Sequence, residues 1–206
     1  MEIKVSDKFA KKLLKTMFEP VDQSSWYKTT VNWITDSKYR NYTRLDSFLQ
    51  EQIDNPNTEL LEEAQRYIGM EYDDIIVAIL KDVKARVKYR TDNSNYGMAE
   101  YWAQASKTLG KGYGDCDDMN SLVYVLARLA GVPSFMLYCA IGDTNLGGHF
   151  WCIYFSPTTG LMYSIDSTFY PDVNPISIRR PFIINDDSYQ NIWYLFNEKG
   201  VWRCIS

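Results

Sequence analysis

Gly114-Asp115-Cys116-Asp117-Asp118-Met119-Asn120-Ser121-Leu122-Val123-Tyr124-Val125-Leu126-Ala127-Arg128-Leu129-Ala130-Gly131-Val132-Pro133 reads as a helix with a cysteine at its head. Leu122, Val125, Leu126 and Leu129 recur at helical spacing, and Gly131-Val132-Pro133 ends the run, so the helix spans 116 to about 130. Gly112-Tyr113-Gly114 lets the chain turn into it, Asp115 takes the N-cap position, and Asp118 follows three residues on as in a capping box. Cys116 therefore falls on the first turn, where unpaired backbone N–H groups and the positive end of the helix dipole favour a thiolate and a developing oxyanion. The three neighbouring carboxylates oppose that effect.

Beyond Pro133 the hydrophobic period changes. Residues 135–141, 149–155 and 161–165 are short runs rich in aromatic and β-branched residues, separated by the turn signals Gly142-Asp143-Thr144-Asn145 and Pro157-Thr158-Thr159-Gly160. Residues 189–196 and 201–205, joined around Asn197-Glu198-Lys199-Gly200, add a further hairpin. Upstream the pattern is helical. Ser6 can cap a run carrying Phe9, Leu13 and Met17 up to Glu19-Pro20; Leu45, Phe48, Leu49 and Ile53 form a second stripe stopped at Asn55-Pro56. A third run starts at Asn57-Thr58, carries Leu60, Leu61, Ala64, Tyr67 and Ile68, and stops at Gly69. Residues 72–89 carry Ile75, Ile76, Ile79, Leu80, Val83 and Val87. Residues 26–34 fit helix or strand, and 91–97 read as a loop. Helices first and an antiparallel sheet after make an α+β protein, divided into a helical accessory region, 1–70, and a catalytic core, 71–206.

The 206 residues, 46% hydrophobic and 15% aromatic, suffice for a well-buried core. A formal net charge of -4 gives no basic field for phosphate backbones, so nucleic acid is not an expected partner. Residues 1–15 lack the apolar core of a signal peptide and no segment is apolar enough to span a bilayer, so the expected location is cytoplasmic, without a membrane. Cys139 and Cys152 lie in apolar strand runs as small hydrophobes, and Cys204 is uninformative. With no Cys-x-x-Cys pair and one histidine, no zinc set is present. Consecutive helix residues point apart, so Asp115, Asp117 and Asp118 are not expected to hold a metal, and no cofactor is implied.

The chemistry rests on that one histidine, His149, lying between Cys116 and Asp166 in sequence. A thiol nucleophile needs a base to take its proton and a third group to orient the base, which makes Cys116, His149 and Asp166 a complete acyl-transfer set. Hairpin geometry is compatible. With a four-residue loop at 157–160, Trp151 faces Asp166 and His149 lies diagonal to it on the same face; a two-residue loop would place His149 directly opposite. A slip by one residue would separate them.

Residues 75–172 resemble the transglutaminase-like superfamily of papain-like cysteine enzymes. The resemblance is carried by Lys88-Tyr89-Arg90-Thr91-Asp92, Tyr101-Trp102, Lys107-Thr108-Leu109, Gly114-Asp115-Cys116-Asp117-Asp118, the run from Leu126 to Pro133, Gly148-His149-Phe150-Trp151 and Ile165-Asp166-Ser167-Thr168. It implies Cys116 as nucleophile, His149 as general base and acid, and Asp166 as orienter. Ser167 stands where many relatives have proline. Trp102 and Gln104 are candidates for the second oxyanion donor, and Trp151 joins them as a candidate substrate contact. Compact chains of this motif order also resemble phage-encoded members, which would place the protein in a virion.

Together these features point to an enzyme that cleaves amide bonds of a protein or peptide through a thioester, by hydrolysis (protease, amidase or deamidase) rather than cross-linking. The alternative is a structural or assembly protein on the same scaffold, docking partners through its N-terminal helices.

Overall fold

The computed structural model describes Lys12 and residues 18–20, 44–168 and 189–204. The helical run expected over 6–17, the ambiguous segment 26–34 and a substrate-selecting loop expected near 174–187 lie outside the described residues. The order is β1 (Phe18–Pro20), α1 (Leu45–Asp54), α2 (Thr58–Gln65), α3 (Tyr72–Arg86), β2 (Lys88–Tyr89), α4 (Asp92–Tyr96), α5 (Ala105–Lys111), β3 (Tyr113–Gly114) and α6 (Cys116–Leu129). A 3-10 turn at Ser134–Met136 then leads into β4 (Leu137–Thr144), β5 (Gly147–Phe155), β6 (Met162–Ile165), β7 (Tyr189–Asn197) and β8 (Gly200–Cys204). Six strands form an antiparallel sheet in the order β1-β8-β7-β4-β5-β6, while β2 and β3 make a separate two-stranded parallel ladder. This is the α+β architecture expected. No helix among the described residues is long and apolar enough to cross a membrane.

Helix α6 is the centre of the molecule. Every residue from Asp117 to Ala127 is buried, since α1, α2, α3 and α5 pack on it from one side and the sheet from the other. Leu122, Val125 and Leu126 are essentially inaccessible, each contributing roughly 1.5–3 kcal/mol by leaving water. Helices α1 and α2 supply Leu45, Phe48, Leu49, Leu60 and Ala64 to this same core. Asn57 caps α2 by accepting from Leu60 N at 3.0 Å. Its stripe is narrower than the sequence suggests, because Leu61 and Ile68 are exposed. At the head of α3, Asp73 accepts from Tyr154 Oη (2.7 Å) and Ser156 Oγ (2.8 Å), which fixes that helix to β5.

Two local expectations are corrected and a third is met only loosely. Residues 91–97 are not simply loop, for Asp92–Tyr96 forms a short helix ending at Gly97, a left-handed cap. The capping box at α6 is loose: the backbone N–H groups of Asp115 and Asp118 pull each other's carboxyl pKa down, yet Asp115 makes no well-formed side-chain cap bond and Asp118 Oδ1 accepts from Ala103 N at 2.7 Å. Finally, Gly142-Asp143-Thr144-Asn145 is not the turn. Strand β4 continues to Thr144, opposite Gly147, and only Asn145 and Leu146 form the bend.

The glycine at 142 answers a different need. Gly142 lies opposite His149 on β5, and on its other side β7 shifts register between Ile141 and Gly142. A β-carbon there would stand 1.9 Å from Asn191 O, a backbone atom that cannot swing away. On the far side of β5, Cys152 pairs with Ile165 and Phe155 with Met162, the register of the four-residue loop. Gly142→Ala is therefore expected to lower unfolding stability by about 2–4 kcal/mol, through overpacking and loss of the β4–β7 ladder. Denaturant unfolding of the two proteins checks this, and a variant within about 0.5 kcal/mol of the parent would contradict it.

Candidate active site

Three elements deliver the reactive groups to one end of the sheet. The β2–β3 ladder pairs Tyr89 with Gly114, so the chain is held two residues before Cys116. Gly114 is obligatory here, because a β-carbon would lie 2.6 Å from Asp118 Cβ. Helix α6 then starts at Cys116 itself. Cys116 and His149 line one cleft of about 100 Å³, together with Trp102, Phe150, Glu100 and Asp117 among others. From the end of β6, Asp166 Oδ2 meets His149 Nε2 at 2.7 Å. That contact leaves Nδ1 as the imidazole nitrogen for other partners.

Asp166 is 1% exposed and held as an acceptor on both oxygens. Its Oδ1 accepts from Thr168 N (2.9 Å), Thr168 Oγ1 (2.8 Å) and Asn120 Nδ2 (3.2 Å), and Oδ2 also accepts from Tyr189 Oη at 2.9 Å. Burial alone would raise its pKa, but the hydrogen bond and charge of His149 and the donors of Thr168 outweigh it and hold the carboxyl at about 2. Asn120 sits one helical turn beyond Cys116. Its Nδ2 also donates to Phe150 O (2.9 Å), and its Oδ1 accepts from Ser167 N (2.8 Å) and Ser167 Oγ (2.9 Å).

The thiol itself is pushed well above the usual range, first by burial, then by the Asp115 carboxylate; a hydrogen bond from the Phe150 backbone works the other way. The acids responsible are more closely gathered than their sequence order implied. Ligand atoms of Asp92, Asp115 and Asp118 lie within 4.8 Å of one another, as do those of Asp115, Cys116 and Asp117, so the side chains at the helix head converge. Asp92 Oδ2 accepts from Tyr101 N at 2.5 Å and Asp118 Oδ1 from Ala103 N, while Asp92 Oδ1, Asp118 Oδ2 and Asp115 Oδ1 are buried without a hydrogen-bond partner. Burial first, and then the mutual repulsion with Asp115, raises Asp92 to about 7 and Asp118 to about 8, although backbone donors pull both back.

Of the other sequence candidates, Trp102 is buried against Phe150 (5.5 Å between centroids), lines the cleft, and donates Nε1 to Glu100 Oε1 at 2.7 Å. Gln104 is exposed at the N-cap of α5, where its carbonyl accepts from Lys107 and Thr108, and it does not line the cleft. Trp151 is fully buried below His149, ring stacked on ring at 6.1 Å and 14°. Sequence reasoning missed Glu100 and Tyr189, which come from segments with no motif of their own, and assigned no role to Asp92, although it closes the run Lys88–Asp92. Asn120 was findable, since a residue four beyond Cys116 shares its helix face.

Residues 59–160 match the family model of the transglutaminase-like superfamily. Solved structures of Legionella pneumophila LapG superpose with a TM-score of 0.54 at 17% identity, covering 77% of this chain and 87% of that one. The calcium-bound form gives 0.55 at 17%, covering 77% and 87%, and the EGTA-treated form 0.55 at 17%, covering 78% and 86%. At that identity the likeness is one of fold. No curated protein matches the chain in sequence. Over residues 59–160, which hold Cys116 at the head of α6 and the strands β4 and β5 against which that helix packs, the chain is similar to the transglutaminase-like superfamily.

Proposed function

We propose that this chain is a cysteine hydrolase acting on amide bonds of a protein or peptide. The observation that carries the reading is the 2.7 Å contact of His149 Nε2 with buried, ionised Asp166, in a cleft shared with Cys116 at a helix head. Cys116 Sγ attacks the acyl carbon while His149 takes the thiol proton. The N–H groups at the start of α6 face the developing oxyanion. His149 returns the proton to the departing amine, leaving a thioester, and then draws a proton from the water that hydrolyses it. Asp166, fixed from both oxygens, stabilises the imidazolium and sets its tautomer. Hydrolysis is preferred to transfer onto a second amine, because transfer needs a cleft that excludes water and this one, as the described residues line it, opens to solvent.

Alkylation with a thiol probe near neutral pH, followed by site assignment, tests this. Cys116 is expected to label faster than Cys139 and Cys152, which are wholly buried, and His149→Ala is expected to slow Cys116 at least ~10-fold, with Asp166→Asn intermediate. A scaffold without catalytic function, a virion component included, would give equal rates in all three proteins.

The acidic cluster fits a divalent cation. Its donors are all carboxylate oxygens, the set a hard ion such as calcium takes, and three of them are orphaned and buried. The existence of a calcium-bound LapG on this fold agrees with that assignment. Asp92, Asp115 and Asp118 would hold the ion, whose charge would offset the carboxylates that disfavour the Cys116 thiolate. Because Asp92 and Asp118 have folded pKa values above the usual 3.8, the metal-free protein binds extra protons and loses stability as pH rises from about 4 through 8. Calcium is therefore expected to raise the melting temperature of chelator-treated protein more at about pH 8 than at about pH 6, and Asp92→Asn to reduce the increment. A rise equal at both pH values, or none, would remove the site.

A further inference from the structure

We propose that Tyr189 is a positioning residue for the His149–Asp166 pair: its hydroxyl pins the carboxylate oxygen that His149 uses, and its ring braces the surface on which the imidazole lies. The proposal rests on the triad reading above but can be tested apart from it. Tyr189 opens β7, opposite Thr144, and lies outside the 59–160 match. It is 2% exposed, and its Oη donates to Asp166 Oδ2 at 2.9 Å, the atom that His149 Nε2 meets at 2.7 Å. The ring stands 4.7 Å from Trp151, and Trp151 in turn stacks beneath His149. One side chain thus touches both supports of the imidazole, the carboxylate at its edge and the indole on its face.

The two oxygens of Asp166 are secured by different parts of the chain. Oδ1 is held by Asn120 of α6 and by Thr168 in its own loop, whereas Oδ2 is fixed relative to the sheet through Tyr189. A carboxylate held at Oδ1 alone keeps its place but can pivot, and Tyr189 removes that freedom. The hydroxyl also tempers the site electronically. A donor on Oδ2 takes up part of the charge that His149 would otherwise draw on, so the imidazolium is stabilised less than it would be by a carboxylate offering that oxygen to the histidine alone. Other titratable groups around His149 are Cys116 and Asp117 of α6, Asp115 before it, and Glu100 from the segment leading to α5. None of these is altered by substituting Tyr189.

His149 is the one histidine in the sequence, so a single imidazole resonance reports its titration without assignment ambiguity and without substrate. In Tyr189→Phe the ring and its contact with Trp151 remain, and the NMR midpoint of His149 is expected to rise by about half a unit. Incorporating 3,5-difluorotyrosine at position 189, a stronger donor of nearly the same shape, is expected to lower it. Tyr163→Phe, which loses a hydroxyl bonded to Thr159 Oγ1 and not to Asp166, serves as control and is expected to titrate as the parent does. Should Tyr189→Phe fail to fold, the fluorinated protein decides alone. A midpoint unchanged in both proteins overturns the positioning role; a fall in Tyr189→Phe, the mark of a carboxylate pivoting away from His149, retains it and overturns only the electronic effect. Shifted midpoints combined with an unreactive Cys116 would retain that role and remove the hydrolase reading instead.

Discussion

The geometry of the cleft depends on the side chain of Asn120. It is inaccessible to water, and both ends of its amide are fully used: two donors go to Phe150 O and Asp166 Oδ1, and the acceptor takes both donors of Ser167. Those partners belong to strand β5 and to the loop after β6, whereas Asn120 shares α6 with Cys116. Cys116, His149 and Asp166 thus sit on three separate segments that one amide ties together. Its backbone carbonyl adds a contact from Cys152 Sγ at 3.3 Å, directly below. An apolar residue of similar size could fill the volume. It would leave Asp166 Oδ1, the Ser167 N–H and the Phe150 carbonyl short of partners in a region without water to replace them.

Around this rigid frame the acids form the unstable part of the molecule. Asp92, Asp115, Asp117 and Asp118 lie together at the head of one helix, and four buried carboxyl oxygens there lack partners. Burial, and after it their mutual repulsion, raises the pKa values of Asp92 and Asp118, in contrast to Asp166, whose oxygens are saturated with donors and whose pKa is depressed. Two carboxylate environments within one fold therefore carry opposite signs. The helix dipole offsets part of the repulsion, but an effect of about 0.3–1 kcal/mol does not balance several buried acids. A fold that keeps such a cluster gives up stability beside Cys116, as functional sites commonly do.

How much of this was legible in the sequence follows from how local each feature is. The helix at Cys116, the strands after Pro133 and the register that sets His149 diagonal to Asp166 depend on periodicity and loop length, both written in short windows. The α4 turn was missed because polar Asp92-Asn93-Ser94-Asn95 reads as loop, and its helical form is fixed from outside, by Tyr101 N on Asp92. Gly142 was misread as a turn residue because nothing nearby in sequence announces that Asn191 will press against it. Tyr189 and Glu100 had no signal at all. Each acts through partners that only the folded sheet or the loop before α5 brings within reach.

The order in which the chain presents these groups has a consequence for synthesis. Cys116 and the acids around it emerge first, His149 follows some thirty residues later on β5, Asp166 after β6, and Tyr189 only with β7, which joins the sheet beside β4. A nascent chain that has emerged as far as α6 holds Cys116 without His149, Asp166 or Tyr189. The long-range strand pairings that complete the site are also the contacts that form late in folding. Under the proposed triad, Cys116 gains its partners only when the sheet is complete.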